Sequence, residues 1–198
     1  MEKKVTGVIL AGGKSSRFGQ NKALVEIGGE RLIDRSLRML SKSFSPLLIV
    51  ASDLLNYAGL PAILTKDVVP VPGPLTGIYT ALLFSPNEWI FVRAVDMPFL
   101  NGSLVELFFG TLSDSIDAVI PVTGRGYEPL CAFYRRTCLK HIAKVLESGG
   151  GRIIEFFPKI RVREIREEDW KNVDPGGMSF YNINTREDLL ELRRSGLL

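Results

Sequence analysis

The chain has 198 residues, 45% of them hydrophobic and 24% charged, with a formal net charge of +3. That composition suits one globular domain, residues 1–198, with an ample core, and it excludes a low-complexity or disordered polypeptide. Lys and Arg are scattered rather than striped with aromatics and no apolar run is long enough to span a bilayer, so neither nucleic acid nor membrane is expected as a partner. A cytoplasmic protein that binds a small anion is the expectation.

The first predicted element is a buried parallel strand from Val5 to Leu10, and it runs straight into a loop with glycines and cations, Ala11-Gly12-Gly13-Lys14-Ser15-Ser16-Arg17-Phe18-Gly19-Gln20-Asn21-Lys22. Glycines let backbone N–H groups approach an anion, and Arg17 and Lys22 add mobile positive charge, a combination suited to a triphosphate. The loop is not a P-loop, because that spacing would put its first glycine at Val8, and Gly7 comes one position early. Gly12, Gly13 and Gly19 do not make a dinucleotide fingerprint either. A glycine turn with solvated charges is the plain alternative.

A helix is predicted over Leu32 to Leu40 and strands over Leu47 to Ala51 and Ala62 to Leu64. Asp67 to Gly77 follows, a rigid passage in which prolines fix the backbone, and Pro74 opens a helix through Leu75, Ile78, Leu82 and Leu83. Such a wall could hold a base ring, with Asp67 available to ribose, ring nitrogens or a water; an ordinary strand-to-helix connection is the competing reading.

The next strand, Trp89 to Val95, ends on Asp96, with Pro98 blocking its simple continuation. A carboxylate at that point suits Mg2+, which takes one or two protein carboxylates and completes its shell with waters and phosphate oxygens. Helix capping is the alternative for Asp96, but Asn101 and Ser103 are nearer to the helix predicted over Leu104 to Leu112. Arg93, inside an apolar strand, requires a partner, and a carboxylate beneath the site is favoured over substrate.

Further strands are predicted at Ala118 to Val122 and Pro129 to Tyr134, and a helix at Leu139 to Leu146 that carries the only histidine, His141. No nucleophile triad or zinc cluster accompanies that histidine. Cys131 and Cys138 read as reduced packing residues. Gly149-Gly150-Gly151 breaks the chain before a short helix, and Arg152 is either an anion clamp or solvated. Phe180 to Asn184 alternates as a strand before a final helix, with Thr185 and Asp188 forming a capping box and Asn182 left available to a ligand. Strand-helix alternation implies a doubly wound, mostly parallel α/β sheet with helices on both faces, whose ligand crevice lies beyond the carboxyl ends of the strands.

Leu-Ala-Gly-Gly-x-x-x-Arg-x-Gly, then Lys22, Gly-Pro-Leu-Thr-Gly, Val-Asp-Met-Pro-Phe and Asn-x-Asn-Thr, in that order, resemble the molybdenum cofactor guanylyltransferases. The resemblance implies a Rossmann-like fold of the nucleotide-diphospho-sugar transferase kind and transfer of GMP from GTP to molybdopterin or its molybdenum-loaded form, with Mg2+. It implies guanine nucleotide contacts at Leu10, Ala11, Gly12, Gly13 and Asp67, a base-side loop at Gly73, Pro74, Leu75 and Gly77, and phosphate contacts at Arg17 and Lys22. Asp96 would be the magnesium ligand, and Asn182 and Asn184, with Arg152, would lie on the pterin side. Cofactor-handling proteins are implied partners. Ala51 stands where some relatives place an asparagine, and Val95 where some place a cysteine. A cytidylyltransferase or sugar-phosphate nucleotidyltransferase of the same fold, or a noncatalytic nucleotide sensor, are the competing readings.

Overall fold

The structure, a computed structural model, describes residues 3–12 and 21–196. Its elements in chain order are β1 (Val5–Leu10), β2 (Glu26–Ile27), β3 (Glu30–Arg31), α1 (Leu32–Leu40), β4 (Leu47–Val50), β5 (Ile63–Thr65), α2 (Pro74–Phe84), β6 (Trp89–Ala94) and α3 (Gly102–Gly110). There follow β7 (Ala118–Thr123), β8 (Gly126–Tyr127), β9 (Cys131–Arg135), α4 (Leu139–Glu147), β10 (Val162–Ile165), α5 (Glu167–Trp170) and α6 (Arg186–Arg194).

The main sheet runs β10-β7-β9-β6-β1-β4-β5, with β8 paired to β7. Along that path β9 alone is reversed, pairing antiparallel with both β6 and β7. β1 is fully buried and sits between β4 and β6, parallel to each. The chain leaves β1 toward β4 and β5, then crosses back through α2 to β6 on the other side. This reversal is a topological switch point, and in open α/β sheets ligands bind at such a point, here beyond the carboxyl ends of β1 and β6.

Alternation along the strands feeds two apolar layers. Ile9, Ile49, Phe91 and Phe133 pack under α1 and α3, while Val8, Leu48, Val92 and Ala132 pack under α2 and α4. α1 covers its layer with Leu32, Ile33, Leu37 and Leu40. α2 is buried through most of its length because it lies over the middle of the sheet, with Pro74 at its first turn. α3 begins as the sequence suggests, with Asn101 Oδ1 accepting from Ser103 N at 2.9 Å. The Thr185–Asp188 capping box opens α6.

Asp117, just before β7, takes a paired ion contact from Arg161 and a hydrogen bond from Thr137, and these hold its carboxyl well below the usual carboxylate range. Cys131 and Cys138 are buried and unpaired with each other, and burial pushes the Cys131 thiol up to about 11.

Close packing explains one glycine of β1. A Cβ on Gly7 would stand 2.7 Å from Leu47 Cδ2 and 2.9 Å from Phe44 Cβ. Gly7→Ala is therefore expected to lose about 1–3 kcal/mol of stability through overpacking, read as a lower midpoint in urea unfolding. An unchanged midpoint would show that Phe44 and Leu47 can withdraw freely.

The expected strand from Phe180 to Asn184 is not formed. Met178–Phe180 is a single 3-10 turn and the chain then runs without a ladder to α6. Side chains capture its backbone instead: Asp174 accepts from Met178 N and Ser179 N, and Arg125 Nη2 donates to Phe180 O at 2.8 Å. Among the described residues no strand pairs with it.

Candidate active site

β1 and β6 deliver the site. Leu10 and Ala94 are partners in register, Val95 N donates to Leu10 O at 3.1 Å, and Ala11 N donates to Val50 O at 2.9 Å. The glycine loop and Asp96 therefore leave adjacent strands at the same level.

Lys22 lies at the start of a 3-10 turn capped by Asn21, whose Oδ1 accepts from Ala23 N at 3.1 Å. Asn21 is in turn held by the buried Tyr57 hydroxyl, 3.2 Å from its Nδ2. So oriented, Lys22 Nζ donates to Asp96 Oδ2 at 2.8 Å and to Asn184 Oδ1 at 3.4 Å. Three residues from distant parts of the sequence thus meet, and Ile183 N donates to Asp96 O at 2.9 Å between the two asparagines. Asn182 Oδ1 is buried with no hydrogen-bond partner among the described residues. A buried acceptor left unpaired is costly unless a ligand satisfies it.

The glycines separate into two kinds. Among the described residues a Cβ on Gly12 would meet nothing nearer than 4.0 Å, its neighbours at that distance being Ala51 Cα, Asp67 Oδ2 and Val50 O. No described neighbour and no left-handed backbone calls for glycine at Gly12, which stands beside Asp67. Gly77 differs, because a Cβ there would lie 3.0 Å from Leu10 Cδ2, and it serves the seating of α2 on β1. Leu10 is accordingly a buried packing side chain at the end of β1, and Leu75, in the first turn of α2, is wholly buried. Gly73, with φ of +131°, takes a conformation that favours glycine at the entry to Pro74.

Two buried threonines one turn apart on α2 fix the passage from Asp67 to Gly73. Thr76 Oγ1 donates to Val71 O at 2.7 Å, and Thr80 Oγ1 accepts from Val68 N at 3.2 Å. Burial raises the Asp67 pKa, with the Thr80 hydrogen bond opposing the shift. The threonines were missed in sequence; their signal was a polar pair at helical spacing within an apolar helix.

Gly13 and Arg17 lie outside the described residues. Arg152 is exposed and follows Gly151, which packs near Pro72 and Gly73. The structure thus sets it beside the Pro72–Gly73 turn, and no hydrogen bond joins it to Asn182 or Asn184 among the described residues. His141 stays on α4, its pKa lowered by burial and by nearby lysines.

Arg93 departs from the ion pair expected for it. Its guanidinium is wholly buried, and it donates to backbone carbonyls and to Cys131 Sγ instead of a carboxylate. Carbonyl oxygens of the turn after β6 converge on it, so acceptors are supplied without a buried anion.

Asp96 is a fitting metal ligand by its donor chemistry. Lys22 engages Oδ2, and a carboxylate retains further lone-pair sites. No group of three or more His, Cys, Asp or Glu gathers among the described residues, so an all-protein cage is absent from them. A single protein carboxylate is enough for Mg2+ where waters and phosphate oxygens complete its shell.

The sequence profile of the MobA-like NTP transferase domain matches residues 7–162. The chain is 41% identical over 186 residues to the molybdenum cofactor guanylyltransferase of Desulfosudis oleivorans, covering 93% of this chain and 92% of that one. Its fold matches the crystal structure of molybdopterin-guanine dinucleotide biosynthesis protein A from Archaeoglobus fulgidus with a TM-score of 0.81 and 28% identity, over 94% of this chain and 95% of that one. The 4-diphosphocytidyl-2C-methyl-D-erythritol synthase of Anaerococcus prevotii shares the fold at 16% identity with a TM-score of 0.70, over 100% of each chain. No helix among the described residues is long and apolar enough to cross a membrane. With its mostly parallel sheet, its crevice at the switch point and these likenesses, the chain belongs to the molybdenum cofactor guanylyltransferases, nucleotidyltransferases of the MobA-like kind.

Proposed function

We propose that this chain, as one cytoplasmic domain, transfers GMP from GTP to the phosphate of molybdopterin or its molybdenum-loaded form and releases pyrophosphate. The contact of Lys22 Nζ with both Asp96 and Asn184 carries the reading, because it joins the nucleotide side of the crevice to the segment that would face the pterin.

The absence of a catalytic histidine is consistent with this chemistry. A phosphate monoester has a second pKa of about 6 and is already largely dianionic at neutral pH. It can attack the α-phosphorus of GTP without a general base, the new P–O bond forming as the bond to pyrophosphate breaks. What must be overcome is repulsion between anions. Lys22, with Arg17, offsets that charge and stabilises the departing pyrophosphate. Gly12 leaves room for the nucleotide beside Asp67, and the unpaired Asn182 Oδ1 offers an acceptor to pterin N–H groups. Asp96 would hold Mg2+, which supplies Lewis-acid neutralisation of phosphate oxygens.

The test is pyrophosphate release by the purified protein with magnesium, comparing GTP, CTP, UTP and ATP with and without molybdopterin. Molybdopterin-dependent release selective for GTP is expected. Selectivity for another nucleotide would overturn the base assignment, and GTP binding without turnover would favour a sensor. Within this scheme Gly12→Ala should leave the fold intact, since among the described residues its methyl meets only ordinary contacts at 4.0 Å. It should raise the KM for GTP by about tenfold by filling nucleotide space. An unchanged KM would place the nucleotide elsewhere.

A further inference from the structure

Arg93 occupies a position that neither the fold nor the phosphate chemistry explains. It is the only charged residue of β6, on the face shared with Trp89 and Phe91, three residues before Asp96. Its Nη2 donates to Met97 O at 3.1 Å, to Phe99 O, and to Ser179 O at 2.9 Å, while Nη1 donates to Cys131 Sγ at 3.0 Å. Met97 and Phe99 belong to the turn that follows Asp96, and Ser179 belongs to the turn that precedes Asn182. The two segments are 82 positions apart by residue number, Ser179 against Met97. One rigid, planar donor group therefore binds the carbonyls of both.

A second bond joins the same stretch to Ser179, and further contacts steady each side of the tie. Asn101 N donates to Ser179 Oγ at 2.9 Å, and Asp174 Oδ2 accepts from Ser179 N at 2.9 Å, so Ser179 is held through its side chain, its amide and its carbonyl. Arg35 Nε donates to Pro98 O at 2.8 Å from α1. Beyond Ser179 the segment has no ladder, and the bond from Ile183 N to Asp96 O is the next backbone link across the crevice.

We infer that Arg93 is a positioning residue for the acceptor step, setting where Asn182 and Asn184 stand relative to Asp96. The inference rests on the guanylyl-transfer reading. Arg93 touches no reacting atom; it acts by fixing two backbone turns against each other. The nucleotide side is held by β1, β4 and the threonines of α2, and the end of β6 just before Asp96 is tied to β1 by Val95 N on Leu10 O, so loss of Arg93 should spare GTP binding and impair use of the pterin.

Arg93→Lys keeps a charge, but its ammonium ends one bond short of the Nη2 that reaches both turns, and it is the decisive variant should Arg93→Met fail to fold. In Arg93→Lys the KM for molybdopterin should rise, and kcat fall, by about tenfold each, with the KM for GTP within about twofold of wild type. Hydrogen exchange on the full chain gives a readout that needs no substrate: the Ile183 amide should exchange about tenfold faster, while the Val8 and Ile49 amides in β1 and β4 keep their protection. A uniform loss of active protein with unchanged KM values, or an unchanged Ile183 amide, would overturn the inference. If wild type shows no molybdopterin-dependent release, the functional reading fails and the acceptor role fails with it; a faster Ile183 amide would then show that the tie between the turns itself is sound.

Discussion

Asp96→Asn should lower guanylyl transfer by about a thousandfold or more, equivalent to about 4 kcal/mol of transition-state stabilisation, while the protein stays folded. The asymmetry follows from what Asp96 does with each of its parts. Its backbone carbonyl accepts from Ile183 N, and the substitution leaves that bond in place. Its side chain is about one quarter exposed and meets Lys22 at 2.8 Å, and an asparagine carbonyl can accept from the same ammonium. The stability change should therefore be about 1 kcal/mol or less. What is lost is the negative charge, and with it the affinity for a hard cation. Steady-state pyrophosphate release beside a thermal melt checks both halves. Turnover close to wild type would remove Asp96 from the mechanism, and a collapsed melt would make it a structural residue.

Lys22→Met is the second large effect, with kcat expected to fall by about a hundredfold or more. The methionine keeps an unbranched chain of similar length and removes the ammonium, so Asp96 and Asn184 both lose their donor. The way the loss divides between constants identifies the role. If Lys22 stabilises charge that builds on pyrophosphate as it departs, kcat and kcat/KM fall together. If it merely binds triphosphate, the KM for GTP rises and kcat holds. Single-turnover rates at saturating GTP separate the two, and no change in either constant would exclude Lys22 from the site. The Asn21 cap and the Tyr57 hydroxyl remain in this variant, so the turn that carries residue 22 should keep its shape.

Much of this was legible in the sequence because the informative features are local. The buried run before Gly12, the proline that opens α2, the Asn101 cap and the Thr185–Asp188 box are each written within a few residues, and β1 and α1 have the predicted bounds. The placement of Asp96 followed from strand polarity alone. The short elements escaped: β8 and β10 are two and four residues long and carry little periodicity. The unformed strand after Phe180 was misread because alternation reports which side chains are buried and says nothing about whether a strand edge is free to pair. Arg93 was recognised as needing a partner, yet the partner is backbone, and no pattern of side chains announces a carbonyl. Thr76 and Thr80 were hidden for the same reason, since the groups they hold belong to a loop.

The absence of a ladder along the segment that carries Asn182 and Asn184 bears on how enzymes of this build diversify. A strand inside a sheet is held by every one of its peptide groups, and moving it disturbs its neighbours. This segment is held at discrete points, by Asp174, Arg125, Asn101 and Arg93 and by the amide of Ile183, and it lies past residue 162, where the shared nucleotidyltransferase profile ends. If this segment faces the second substrate, as proposed, single substitutions at those anchor points can reshape that wall without unpairing any strand of the sheet, so acceptor choice is the property this architecture would leave most open to evolutionary change.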